Sequence, residues 1–157
     1  MKFPPHDSTC NTLGVGAEPG AIPLHGEVPK PKTLLVVDDE QEVRELMAQV
    51  LCQEGYNVLQ ADGAAEALRI AADATIHLLL TDFSMPGTDG LKLTRWFRAL
   101  CPKAPVLMVS GSLADMNGRA DELNYFGILE KPFAIGELVS KVRRLLTEAN
   151  SVPSGKE

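Results

Sequence analysis

Several polar side chains stand where an apolar run stops. Asp38 and Asp39, with Glu40 next, follow Thr33-Leu34-Leu35-Val36-Val37, and Asp82 follows Leu78-Leu79-Leu80-Thr81. Ser110 follows Val106-Leu107-Met108-Val109, and Lys131 follows Ile128-Leu129-Glu130. If these runs lie side by side, carboxylates, a hydroxyl and an ammonium meet on one rim. Crowded carboxylates repel and raise one another's pKa, and a cation among them relieves the repulsion. Oxygen donors that leave room for several waters suit Mg²⁺. Lys131 adds a positive charge able to face a phosphoryl oxygen, and Ser110 adds a neutral donor. Taken singly, each residue has an ordinary use. Asp38, Asp39 and Glu40 suit a helix N-cap and first turn; Asp82 suits a loop cap, Ser110 a strand end, and Lys131 the solvated surface. Their common placement at strand ends is what favours a site.

The elements that must position these residues alternate along the chain. Val43, Leu46, Met47, Val50 and Leu51 recur at helical spacing, and Gly55 suits the position just past that helix's end. Asn57–Ala61 reads as a weaker strand, alternating enough to lie near an edge. Ala64, Ala67, Leu68 and Ala71 make a second, narrow stripe, and Leu93, Trp96, Phe97 and Leu100 a third. The unbroken run at 78–81 suits a central strand covered on both faces. A helix over Leu113–Leu123 is the weakest element, since Gly118 costs roughly 1 kcal/mol there against alanine. Ile135, Leu138, Val139, Val142 and Leu146 make the last stripe. Five strands separated by helical crossovers predict an α/β fold, (βα)5, with one parallel sheet wound on both faces. In such sheets the site lies outside the carboxyl ends of the strands.

Composition narrows the classes. The chain has 157 residues, with 15 basic and 21 acidic side chains and a net charge of −6. That balance argues against direct DNA binding. No apolar run approaches the roughly 18 residues of a membrane span, and the first residues lack a signal peptide's apolar stretch. Three cysteines, Cys10, Cys52 and Cys101, are too few and too dispersed for a disulfide framework or zinc site, and predict free thiols in a reducing cytoplasm. Residues 1–31 hold six of the eleven prolines, with isolated apolar residues that cannot offset ordering entropy. They predict a disordered arm or linker; residues 32–148 form the domain, and 149–157 a polar tail.

The segments LLVVDDEQEVRELM at 34–47, LLLTDFSMPGTDGL at 78–91, VLMVSGS at 106–112 and LEKPF at 129–133 resemble a CheY-like response-regulator receiver domain of two-component phosphorelays. The resemblance covers nearly all of residues 32–148. It implies a flavodoxin-like strand order 2-1-3-4-5 and a phosphoryl group taken from a phosphohistidine onto Asp82. Asp38, Asp39 and Asp82 would hold Mg²⁺, together with the backbone carbonyl of Ser84. Ser110 and Lys131 would contact the phosphoryl group, and Met85, Pro86, Gly87 and Gly90 would shape the rim. The Lys131–Pro132 peptide bond would be cis. Implied partners are a sensor histidine kinase or a histidine phosphotransfer protein and a downstream protein, with no membrane contact. The domain would be a timed switch rather than an enzyme.

Two positions depart from that pattern. Ile128 replaces the usual switch aromatic three residues before the lysine, which puts the customary output face in doubt. Asn124 replaces a common glycine, a mild change because Asn tolerates the left-handed conformation. The sequence shows no output domain, so the expected arrangements are a free-standing receiver, a phosphate relay or a fragment of a longer regulator. A phosphatase of the haloacid-dehalogenase kind would want an aspartate at Ser84. A docking pseudo-receiver not controlled by phosphorylation is the remaining alternative, and the complete set of acid, hydroxyl and lysine residues argues against it.

Overall fold

A computed structural model of the chain describes residues 30–112, 114 and 127–151. The elements are β1 (Thr33–Val37), α1 (Gln41–Gln53), β2 (Asn57–Ala61), α2 (Ala64–Asp73), β3 (Leu78–Asp82), α3 (Gly90–Leu100), β4 (Val106–Ser110), β5 (Gly127–Glu130) and α4 (Ile135–Ser151). All strand pairs are parallel, in the order β2-β1-β3-β4-β5. This is the predicted flavodoxin-like sheet, with β2 at an edge. Apart from Ala114, the helix expected over Leu113–Leu123 lies outside the described residues, as do Asn124 and residues 1–29 of the expected arm. Helix α4 continues to Ser151, into the stretch from 149 expected as a tail; no glycine or proline falls between Gly136 and Pro153.

Strand side chains alternate between faces, and here both faces are dry. Leu34 and Val36 of β1, Leu78 and Leu80 of β3, and Leu107 and Val109 of β4 pack with Met47, Leu51, Leu138 and Val142 of α1 and α4. Leu35, Val37, Leu79 and Val106 pack on the opposite face with Ala67, Ala71, Leu93 and Phe97 of α2 and α3. A fully buried leucine contributes roughly 1.5–3 kcal/mol relative to an exposed one. The unbroken apolar runs of β1, β3 and β4 are what a sheet buried on both faces requires. The small residues of α2 let that helix lie close to the sheet.

Helix ends follow local chemistry. After α1, the Gly55 N–H donates to Cys52 O (3.0 Å) and the Tyr56 N–H to Leu51 O (3.3 Å). Gly55 has φ +98°, the left-handed turn that glycine enters without steric cost. Asp89 caps α3, accepting from the Lys92 N–H at 2.8 Å.

The apolar stripes are wider than the buried faces. Leu46 (46% exposed), Trp96 (50%), Leu100 (47%) and Ile135 (52%) face solvent. On α3 the pair Leu93 and Phe97, one turn apart, occupies the sheet contact; Trp96 falls at the stripe's margin and Leu100 on the terminal residue. Cys101 is a free thiol, whereas Cys52 is disulfide-bonded, against the expectation of free thiols. Dispersion along the sequence does not measure separation in space, which is what decides whether two thiols can join.

Candidate functional site

The site's layout follows from register and alternation. Val37 of β1 pairs with Thr81 of β3, so Asp38 and Asp82 emerge at the same level on adjacent strands. Asp82 in turn pairs with Val109 of β4. Asp38 continues the parity of Leu34 and Val36, Asp82 that of Leu78 and Leu80, and Lys131 that of Leu129. All three therefore rise from the face covered by α1 and α4.

The result is a compact charged cluster. Carboxylate oxygens of Asp38, Asp39 and Asp82 lie within 4.8 Å of one another. Lys131 lies between the end of β5 and a cis bond to Pro132. Its Nζ lies 3.3 Å from Asp82 Oδ1, 3.4 Å from Asp38 Oδ2 and 3.6 Å from Glu40 Oε1. Asp38 is fully buried and Asp82 nearly so, while Asp39 is exposed. Burial, reinforced by the Asp38 carboxylate, pushes the Asp82 carboxyl up to about 6; the Lys131 ammonium opposes this, and Asp39 adds to it. Burial disfavours the charged Lys131, but Asp82 and Asp38 outweigh it and raise its pKa. Three clustered carboxylates form an all-oxygen donor set that can hold a hard cation.

The backbone around the cluster is held by bonds that sequence reasoning missed. Asp38 Oδ1 accepts from the Glu40 N–H at 2.9 Å. The Arg44 guanidinium donates to Asp38 O (2.9 Å) and to Gln60 Oε1 (3.2 Å), tying the β1–α1 loop to β2. Only its place on the first turn of α1, at the edge of the apolar stripe, could have pointed to Arg44. Gly90 has a steric reason: a Cβ there would meet Asp82 O at 2.5 Å and Met108 Sδ at 2.9 Å. The Gly90 N–H donates to Phe83 O at 2.7 Å, closing the rim loop. Gly87, at φ +84°, turns that loop.

Ser110 is buried at the same rim, but its hydroxyl serves its own loop. It donates to Ser112 O (2.9 Å) and accepts from the Ser112 N–H (3.1 Å). It continues the parity of Val106 and Met108, opposite to that of the acidic cluster. Ser84 is exposed in the loop after Asp82, and Met85 is buried beneath it. Ile128 packs, half-buried, against Phe83, Leu91 and Met108.

Residues 34–143 match the family described as "Response regulator receiver domain". The phosphate regulon transcriptional regulatory protein PhoB of Pseudomonas aeruginosa is 32% identical over 118 residues, covering 73% of this chain and 52% of that protein. Response regulator MprA of Mycobacterium sp. strain KMS is 35% identical over 122 residues, covering 74% and 51%. The chain thus spans about half the length of these relatives. A CheY-like receiver domain protein from Methanospirillum hungatei superposes with a TM-score of 0.69 at 29% identity, covering 76% of this chain and 97% of that one. The receiver domain of NtrX from Brucella abortus gives 0.67 at 32%, covering 73% and 98%. Domains of this kind are signalling domains, and the match runs from β1 into α4 through every strand end that carries the charged cluster. The chain belongs to the response regulator receiver domain family.

Proposed function

We propose that the cluster accepts a phosphoryl group on Asp82 from a phosphohistidine of a sensor kinase or phosphotransfer protein, with Mg²⁺ held by Asp38, Asp39, Asp82 and the Ser84 carbonyl. The single observation that carries this reading is the meeting of Asp38, Asp39, Asp82 and Lys131 from three different strand ends.

An Asp82 carboxylate oxygen attacks phosphorus in line with the donor's P–N bond. The new O–P bond forms as the P–N bond breaks, and the imidazole leaves with its electron pair and takes up a proton. A carboxylate is a weak nucleophile, so the donor's reactivity and the in-line geometry carry the step. Mg²⁺, when bound, neutralises charge on the acceptor and on the phosphoryl oxygens. Lys131 supplies a fixed positive charge beside Asp82, aimed at a phosphoryl oxygen once Asp82 carries the acyl phosphate. Asp38, fully buried, keeps that ammonium on the rim. Ser110 exchanges its Ser112 bonds for one to the phosphoryl group. The phosphorylated state alters partner binding or passes the phosphoryl group on, and the aspartyl phosphate hydrolyses with time.

The test is incubation with Mg²⁺ and a small acyl-phosphate donor, read by intact mass. A receiver gains one phosphoryl group, and Asp82→Asn abolishes the gain. Repeated turnover of the donor without accumulation would indicate a phosphatase, and no reaction at all a docking module. Either result overturns the reading.

A further inference from the structure

The side chains that α3 turns to solvent form a patterned strip. Lys92, Trp96 and Leu100 follow one another at four-residue spacing, so they line up along one side of the helix. All three are exposed, as are Ala99 beside them and Lys103 just beyond the helix end. Trp96 is half exposed and Leu100 nearly so. Trp96 and Leu100 are separated by about 6 Å along the axis, with a lysine at each end of the pair.

The strip's charge is unlike that of the whole chain. Helix α3 carries Lys92, Arg95 and Arg98 and no carboxylate, in a protein of net charge −6. Arg95 and Arg98 already make interactions within the molecule. Lys92 and Lys103 pair with no carboxylate among the described residues. Local attraction therefore selects an acidic partner even though the net charge repels one at long range. A half-exposed tryptophan is also the side chain that gives most on desolvation at an interface.

We propose that this face of α3 docks a peptide segment of a partner protein in which acidic residues flank two apolar side chains. The apolar pair covers Trp96 and Leu100, over the low saddle left by Ala99, and the flanking carboxylates reach Lys92 and Lys103. The surface lies on the α2/α3 side of the sheet, whereas the proposed phosphoacceptor rises from the α1/α4 side. Docking here is independent of phosphoryl transfer, so the two readings stand or fall separately.

The experiment selects a displayed library of random twelve-residue peptides against the whole chain. Enriched peptides are then titrated against the emission of Trp96, the only tryptophan in the sequence. The expected result is enrichment of net-acidic peptides with paired apolar residues, a shift in Trp96 emission on binding, and weakening at high salt. Lys92→Glu with Lys103→Glu should weaken binding about tenfold, the cost of two exposed pairs turned repulsive. Leu100→Ser should weaken it with the fold intact by circular dichroism. No enrichment, enrichment of neutral or basic peptides, or binding that the charge-reversed chain retains would each overturn the proposal.

Discussion

The Lys131 ammonium lies 3.3 Å from an Asp82 carboxylate oxygen, yet Asp82 still holds its proton up to about pH 6. One partly buried cation does not offset the burial of the Asp82 carboxyl and the repulsion that Asp38 and Asp39 add to it. The imbalance is the physical case for a second cation, and it makes the site a source of instability when that cation is missing.

A raised carboxyl pKa makes the folded state bind a proton that the unfolded chain releases near pH 4. Stability of the metal-free protein should therefore fall as pH rises from about 4 through about 6, and stay low above that. Asp82→Asn removes the repulsion and should raise Tm at pH 7 by a few degrees, about 1 kcal/mol after allowing for the lost Lys131 pairing. Thermal melts of both proteins from pH 4.5 to 8 test this. A wild-type curve that rises with pH over that interval would refute the assignment.

Asp39→Ala should leave a folded protein, equal to or more stable than wild type without metal, since it relieves like-charge repulsion. It should lose both the Mg²⁺-induced rise in Tm and acyl-phosphate labelling at Asp82. Titrating Mg²⁺ against Tm separates binding from chemistry. Normal labelling of Asp39→Ala would place the metal elsewhere.

Gly90→Ala should be far more harmful than its chemistry suggests. The added methyl would sit 2.5 Å from Asp82 O and 2.9 Å from Met108 Sδ, and the backbone oxygen cannot move without displacing the site. A loss of about 1–3 kcal/mol is expected, as for overpacked cores, together with reduced phosphorylation. Urea denaturation measures the first and intact mass the second. A neutral substitution would mean that α3 can slide away from β3.

Much of this was legible in the sequence because the fold's determinants are local and repeated. The runs at 33–37, 78–81 and 106–109 read as strands from their composition alone, with Asp38, Asp82 and Ser110 at their ends, and Lys131 stands at the end of the shorter run at 128–130. The strand order and the cis Lys131–Pro132 bond entered through family resemblance. Arg44 was missed because its role is contact with a carbonyl, which leaves no pattern in the sequence. Leu46, Trp96 and Leu100 were read as part of helical stripes; periodicity gives an angle around the helix but not how far the sheet beneath it extends. The Ser110 hydroxyl was placed at the correct rim, but its Ser112 bonds depend on strand parity and a tight turn that residue type alone does not reveal.

The route of the signal is the last expectation, and it rests on Ile128. The residue packs against Phe83, Leu91 and Met108, pairs in register with Met108, and is stiff at χ1 because it is β-branched. It is therefore a fixed packing element, unable to swing between solvent and the interior as an aromatic at that place would. Ser110 must give up two bonds to Ser112 to reach a phosphoryl oxygen, so displacement starts in that loop. Adding Mg²⁺ and an acyl-phosphate mimic should shift amide resonances strongly within residues 110–117, half of which lie outside the described residues, and weakly along β5 and the start of α4. Ile128→Phe, which restores a ring with rotameric freedom, should extend the shifts into 126–140. Equally large shifts along 126–140 in the unaltered protein would show that the signal crosses Ile128 after all.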